Sequence, residues 1–463
     1  MRKLYEPQLS LDFFVKAKSK TIQEHEFKYE RISGILDANP ILLKIVGNKF
    51  SYDGKLKIGR EGYTVEQALR SIILLRLEDF SYRDASVRIH FDYCFRKFCR
   101  LGDRPMMSFS ELNKLDAKIC QETWGKIAQT LNQYAVSECL IEGDKLRADT
   151  TVVESNVHYP TDSHLLWDVY RCSSKFIKAV RKFAPHIIGD IRAHQKTYKK
   201  IYFQINRDVG KKNKKAEIKD LYRRLINGTD KILFSASHVV EGVKEQIVKN
   251  SLSDDSLKLQ VILSCYEPKM EPAQKIINQA TRRVIQGEQV PNDEKIFSLF
   301  EPHTELLKRG KAGKPVEFGH MALLQQVGGG YITGSQIFSK KPNENDLVDG
   351  ILKNHKKLFN KLPDVFATDK GFYSNMDKIE SLEKKIDVVA IGKKGRLTPE
   401  QKVRESSLKF KKACFFRAGI EGTISVLKRA FSMKRCLNKG FERFRSFVSS
   451  VIFVHNLRIL STL

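Results

Sequence analysis

Three carboxylates in this chain stand where solubility alone does not explain them. Glu421 lies within Cys414–Lys428, which reads C-F-F-R-A-G-I-E-G-T-I-S-V-L-K. Wound as a helix, that run sets Arg417, Glu421 and Lys428 within about 40° of one another, and Arg435 continues the line. Ile420, Ile424, Leu427 and Phe431 make a neighbouring apolar face, so the charged stripe is expected at the edge of a buried surface. Alone, such a stripe reads as ordinary i, i+4 ion pairing.

Asp149 sits inside Lys145-Leu-Arg-Ala-Asp-Thr-Thr-Val-Val-Glu154, a β-branched run bounded by Gly143 and by Asn156 to Pro160, as a strand is. Aspartate is depleted in strands, and a central strand offers it little water. It calls for a metal or a cation as partner, unless the strand lies at an edge. Asp369 closes Pro363-Asp-Val-Phe-Ala-Thr-Asp369, at the carboxyl end of a buried strand, where an open α/β sheet places its functional groups. Two acids on strands and one on a flanking helix suit a site for two divalent cations. Hard cations such as Mg²⁺ take oxygen ligands, and two of them about 4 Å apart can serve an in-line displacement at phosphorus.

The elements that must position these acids follow from the pattern of the rest. Thr64-Val-Glu-Gln67 is a capping box opening an apolar helix through Leu75, and Ser81 caps a second helix, Tyr82 to about His90. Phe91 to Leu101 sets aromatic residues beside Arg96, Lys97 and Arg100, and Ser110 starts a long helix through Leu131. Short helices joined by tight turns, with cations beside aromatics, suit a helix-turn-helix-like DNA-binding unit over 61–139; a plain helical bundle with basic faces is the alternative. Residues 1–60 read as an N-terminal arm.

From residue 140 the period changes to that of strands. A helical insertion over 161–312 interrupts them, with stretches at Leu165 to Phe183, Ile191 to Arg207, Lys215 to Leu225, Ala236 to Asn250 and Pro272 to Ile285. Strand character returns at Lys314 to Val327. Gly328 to Gly330 turn the chain, and Tyr331 to Phe338 answers as the antiparallel partner. The order strand, insertion, hairpin, helix, strand, helix, strand, helix predicts an α/β domain over 140–160 and 313–463 with a mixed sheet and helices on both faces.

Composition bounds the function. The chain has 463 residues, 41% hydrophobic and 29% charged, which is globular rather than disordered. Its 82 Lys and Arg against 54 Asp and Glu give a net charge of +28, beyond what solubility requires, and point to a polyanion. No apolar run approaches a membrane span, and Met-Arg-Lys-Leu-Tyr-Glu-Pro leads into no signal-peptide core, so the expected location is cytoplasmic. The eight cysteines show neither Cys-x-x-Cys pairs nor zinc spacing and read as reduced, mostly buried thiols. There is no phosphate-binding glycine loop, which argues against an ATP-driven motor.

These motifs together resemble those of bacterial insertion-sequence DDE transposases. Ala367-Thr-Asp369-Lys-Gly371-Phe372 is similar to their second-aspartate motif. The Glu421 helix is similar to their Tyr-x2-Arg-x3-Glu-x6-Lys signature, with Arg417, Glu421 and Lys428 in register and Cys414 at the tyrosine position. Asp149-Thr-Thr-Val-Val-Glu-Ser-Asn, followed by Tyr159-Pro-Thr-Asp162, resembles their first-aspartate strand. The resemblance extends to Val316-Glu-Phe-Gly-His320-Met and to Gly440 through Asn456-Leu-Arg, and covers most of the chain from Thr64 onward.

The resemblance implies an RNase H-like catalytic core in which Asp149, Asp369 and Glu421 bind two Mg²⁺ ions, with Mn²⁺ as a substitute. It implies nicking at element ends followed by strand transfer from the freed 3′-hydroxyl. Arg417, Lys428 and Arg435 become phosphate contacts. His320 is a candidate for support, with a satisfied core histidine as the alternative; Glu154 and Asp162 are auxiliary ligands or surface acids. The partners implied are double-stranded DNA, as terminal inverted repeats and target, and a second copy of the chain in a synaptic homodimer, at the nucleoid. The other readings are a non-catalytic DNA-binding protein derived from a transposase, and an RNase H-like nuclease without joining activity.

Overall fold

A mixed six-stranded sheet carries the elements that hold the acids: β1 (Lys145–Glu154), β2 (Glu305–Lys311), β3 (Lys314–Gln326), β4 (Ile332–Ile337), β5 (Val365–Thr368) and β6 (Val388–Ala390). This is a computed structural model, which describes residues 19–50, 62–249, 253–311 and 314–463. Strand β1 lies between β3 and β5, and β6 follows β5. The β1–β5 and β5–β6 pairs are parallel, while β3 pairs antiparallel with β2 through its first half and with β4 through its second. The expected α/β class with a mixed sheet is what the chain forms.

The chain divides into two units, Ser155–Gly319 and the remainder. In the larger one, the sheet shares a single apolar core with the helices that precede it. Trp124, on the helix Gln121–Ser137, packs its ring 5.6 Å from Phe453 on the closing helix Phe441–Leu460. Arg76 donates to Ser450 Oγ at 3.0 Å. The boundary expected near residue 139 therefore marks no break in packing.

Local chemistry explains most element ends. Thr64 Oγ1 accepts from the Gln67 amide and Gln67 Oε1 from the Thr64 amide, each at 3.1 Å, closing the box at the head of Val65–Leu77. Ser81 caps Tyr82–Phe91. The helix expected to start at Ser110 is instead capped by Ser108, and it ends at Lys118, where Ile119 turns extended before a new helix begins at Gln121. The arm expected over 1–60 contains two helices, Lys20–Ala38 and Ile41–Phe50, whose Tyr29, Ile32, Val46 and Phe50 enter the core; residues 1–18 and 51–61 lie outside the described residues.

The unit Ser155–Gly319 is mostly helical and holds its own apolar clusters. The separate helices expected at Lys215 to Leu225 and Ala236 to Asn250 are one helix of 35 residues, Lys215–Lys249; Asn250 lies outside the described residues. Gly228, within it, lets Tyr198 lie against the backbone: a Cβ there would stand 1.9 Å from the ring. Strand β2 also falls inside the stretch expected to be helical.

The turn after β3 needs its glycines, since Gly329 and Gly330 take φ of +67° and +84°. Asn456 then acts as a substitute peptide group for β4, accepting from the Ile332 amide at 3.0 Å and donating to its carbonyl at 2.7 Å.

Candidate active site

The register decides how the two aspartates meet. Ala148 pairs with Thr368 across the parallel β1–β5 ladder, so Asp149 and Asp369, the next residue on each chain, stand side by side. Each is half-buried and held by local backbone: Asp149 Oδ1 accepts from the Thr150 amide at 2.7 Å, and Asp369 Oδ1 accepts from the Gly371 amide at 2.7 Å.

A fourth acid joins them. Glu344, in the turn Glu344–Leu347 beyond β4, accepts from Thr150 Oγ1 at 2.6 Å. A Cβ on Gly371 would stand 1.9 Å from Glu344 Oε2, so glycine there is what lets the Asp369 turn close on this carboxylate. Burial, then the charges of Asp369 and Glu344, push the Asp149 carboxyl up to about 6, against the pull of the Thr150 amide and of Arg417.

Glu421 is placed differently. Its helix, Leu408–Ala430, lays Phe410 and Ala413 on Ala367 of β5 and Ala390 of β6, and buries Ile420 and Leu427. The stripe expected at its edge is there: Arg417 Nη2 donates to Glu421 Oε1 at 3.2 Å, and the Glu421 side chain is 64% exposed. Arg417 acts electrostatically on Asp149, so Glu421 is linked to the aspartates through a cation. Among the described residues no three of Asp, Glu, His and Cys stand close enough to hold a metal ion. The two aspartates offer oxygen donors of the type a hard cation takes.

The other expected site residues divide. Lys428 lies in the last turn of the same helix and is half-buried. Arg435 does not continue the helical line, because the helix ends at Ala430 and Ser432 turns to a φ of +50°. Arg435 instead pairs at 2.8 Å with Glu154, and backbone hydrogen bonds from Glu154 to Lys434 and from Cys436 to Glu154 bind the two segments together. Glu154 is therefore spent on that pair. Asp162 is likewise engaged by Arg283 at 2.8 and 2.9 Å.

His320 is fully buried, its Nδ1 3.0 Å from the Phe338 carbonyl and its ring against Phe441 and Phe444, so it belongs to the core rather than the site. Cys414 is half-buried, and burial raises its thiol despite the nearby Arg417. All eight cysteines are free; two are buried, four half-buried and two exposed, fewer buried than expected.

The cations of the basic segment 91–101 are engaged by neighbouring groups. Arg100 binds Glu66 at 2.6 Å and Asp37 at 2.7 Å, Lys97 meets Glu30 at 3.2 Å, and Arg96 donates to the carbonyls of His90, Gly102 and Arg104. These cations stabilise the helical region itself.

Sequence reasoning missed Glu344, which lies in a loop beyond β4 with no local mark of its own. It also missed Arg147, which shares the strand face of Asp149. Arg147 is 8% exposed; Nε donates to Gln326 Oε1 at 2.7 Å, Nη1 donates to the Phe416 carbonyl, and no carboxylate among the described residues pairs with it.

Comparison with known proteins returned no matching family model, no matching curated protein and no matching solved structure. No helix among the described residues is long and apolar enough to cross a membrane.

Proposed function

We propose that the chain is a transposase of the DDE type, which binds the ends of a DNA element, cuts a strand there and joins the freed end to target DNA. The observation that carries this reading is the side-by-side placing of Asp149 and Asp369 at adjacent strands of a mixed sheet, with the Asp149 carboxyl raised by burial and by its acidic neighbours. The net charge of +28 and the motif resemblance agree with DNA as substrate.

In this reading Asp149 and Asp369 hold Mg²⁺ or Mn²⁺, with Glu421 or Glu344 completing the set. The metal would polarise the scissile phosphate and activate the attacking oxygen. The chain's own residues do the rest. The Thr150 and Gly371 amides fix one oxygen of each aspartate. Arg417 is poised to leave Glu421 for a phosphate oxygen, as a planar fork suited to that geometry. Lys428 adds a point charge in the last turn of that helix. Pairing of two element ends calls for two copies of the chain, acting on DNA at the nucleoid.

The test is cleavage of DNA taken from both sides of the gene, searched for paired inverted repeats, with Mg²⁺ and with EDTA. Glu421→Gln and Glu344→Gln decide the third ligand: the true ligand's variant loses cleavage, and the other retains it. A second reading, a DNA-binding protein without catalysis, is favoured by the Arg417–Glu421 ion pair, which draws Glu421 away from the aspartates. Metal-independent binding with no cleavage under any divalent ion would select it.

A further inference from the structure

The helix Leu408–Ala430 has a second flank. At 100° per residue, Lys411, Phe415 and Gly419 lie on the side away from Arg417, Glu421 and Lys428. That flank borders an open cleft of about 620 Å³, lined by Lys145, Arg147, Lys411, Lys412, Phe415 and Gly419 among others. The cleft combines three features.

The first is an uncompensated charge. Arg147 is buried, yet the groups it contacts are neutral: the Gln326 amide, the Phe416 carbonyl and the Phe416 ring, 4.7 Å from the guanidinium carbon. Desolvation is the one influence acting on its charge, and it lowers the pKa. A buried cation without an anion is costly, and a ligand anion reaching it removes that cost.

The second is fit. A Cβ on Gly419 would stand 2.2 Å from Arg147 Nη1, so this glycine is what admits the guanidinium beneath the helix. The third is the rim. Lys145, Lys411 and Lys412 are exposed and form no ion pair among the described residues, and Phe415 is 85% exposed beside them. A bare aromatic ring among cations matches a nucleotide strand, with phosphates on the lysines and a base on the ring.

We infer that this cleft is a second nucleic-acid site, taking an unpaired stretch of strand, with a phosphate directed at Arg147 and a base stacked on Phe415. The inference deepens the transposase reading and rests on it for the choice of polymer. An acidic polypeptide would satisfy the cations but has no use for the ring, which is why a nucleotide strand is the occupant argued for.

The experiment measures binding of a labelled single-stranded oligonucleotide, its duplex and poly-glutamate by the full chain across a range of salt. The double variant Lys411→Glu, Lys412→Glu is expected to weaken single-strand binding at least tenfold and to make the salt slope shallower by about 1.4 for two lost phosphate contacts. Phe415→Ala is expected to weaken single-strand binding about 5- to 100-fold with the slope unchanged, and to spare the duplex. All substituted side chains are exposed, so folding should survive, and an unchanged Mg²⁺-induced rise in melting temperature checks the aspartate site. Single-strand binding at wild-type strength in both variants overturns the inference, as does equal competition by poly-glutamate in wild type and Phe415→Ala. If the variants lose binding while no protein cuts DNA, the cleft stands and the transposase reading falls. If wild type cuts but the variants bind normally, the reverse holds.

Discussion

Two basic regions of the larger unit handle their charge in opposite ways. Among the helices before the sheet, Arg70 lies at 2.9 Å from Glu66 and 2.7 Å from Asp37, Arg76 at 2.6 Å from Asp116, and Arg100 bridges Glu66 and Asp37. Beside the Leu408–Ala430 helix, Lys145, Arg147, Lys411 and Lys412 have no such partners among the described residues. Both stretches contribute to the same net charge, and both set cations near aromatic rings. The contrast teaches that a count of cations locates no binding surface; the pairing does. Cations matched to carboxylates hold the fold, and cations left unmatched around a cleft are the ones available to a polyanion.

The first region should break when its pairs are broken. Asp116→Ala leaves Arg76 buried without its partner and is expected to cost about 3–5 kcal/mol, read from urea denaturation. A loss under about 1 kcal/mol would show that the pairing contributes little there. The aspartate site gives a pH signature of its own. Asp149 has a folded-state pKa raised to about 6, so its contribution is fully present below the unfolded carboxylate value and is lost as pH rises through 6. The metal-free chain should lose on the order of 2 kcal/mol between about pH 4 and 7 from this group, Asp149→Asn should abolish that slope, and Mg²⁺ should raise the melting temperature more at pH 8 than at pH 5.

Smaller effects sharpen the same contrast. Thr64→Ala removes one half of the capping box and should cost about 1 kcal/mol, visible as a shift in the denaturation midpoint without a change in slope. Lys411→Ala with Lys412→Ala should change stability by less than about 0.5 kcal/mol while weakening single-strand binding, the opposite of the Asp116 variant. A destabilisation comparable to that of Asp116→Ala would place these lysines with the structural cations.

What the sequence made legible was mostly local. The box at Thr64 and Gln67, the cap at Ser81, the β-branched run around Asp149 and the triple-glycine turn are each decided by neighbours in the chain, and each formed as read. Asp369 at a strand end was readable for the same reason. What was not readable depends on residues far apart in sequence. Glu344 reaches Thr150 across 194 positions, and Arg147 reaches Phe416 across 269. The contact that explains Gly228, with Tyr198 on another helix, was not readable either. Arg435 left its expected line because the helix stops five residues earlier, which periodicity extended too far to notice.

The proposed role of Asp149 and Asp369 is a catalytic metal site for DNA strand cutting. The most direct measurement is cleavage of inverted-repeat DNA by wild type, Asp149→Asn and Asp369→Asn side by side, with binding of the same DNA measured in parallel. The expected result is Mg²⁺-dependent release of 3′-hydroxyl ends by wild type, a loss of about a thousandfold or more in each variant, and affinities within about twofold of wild type. Full cleavage by either variant would contradict it.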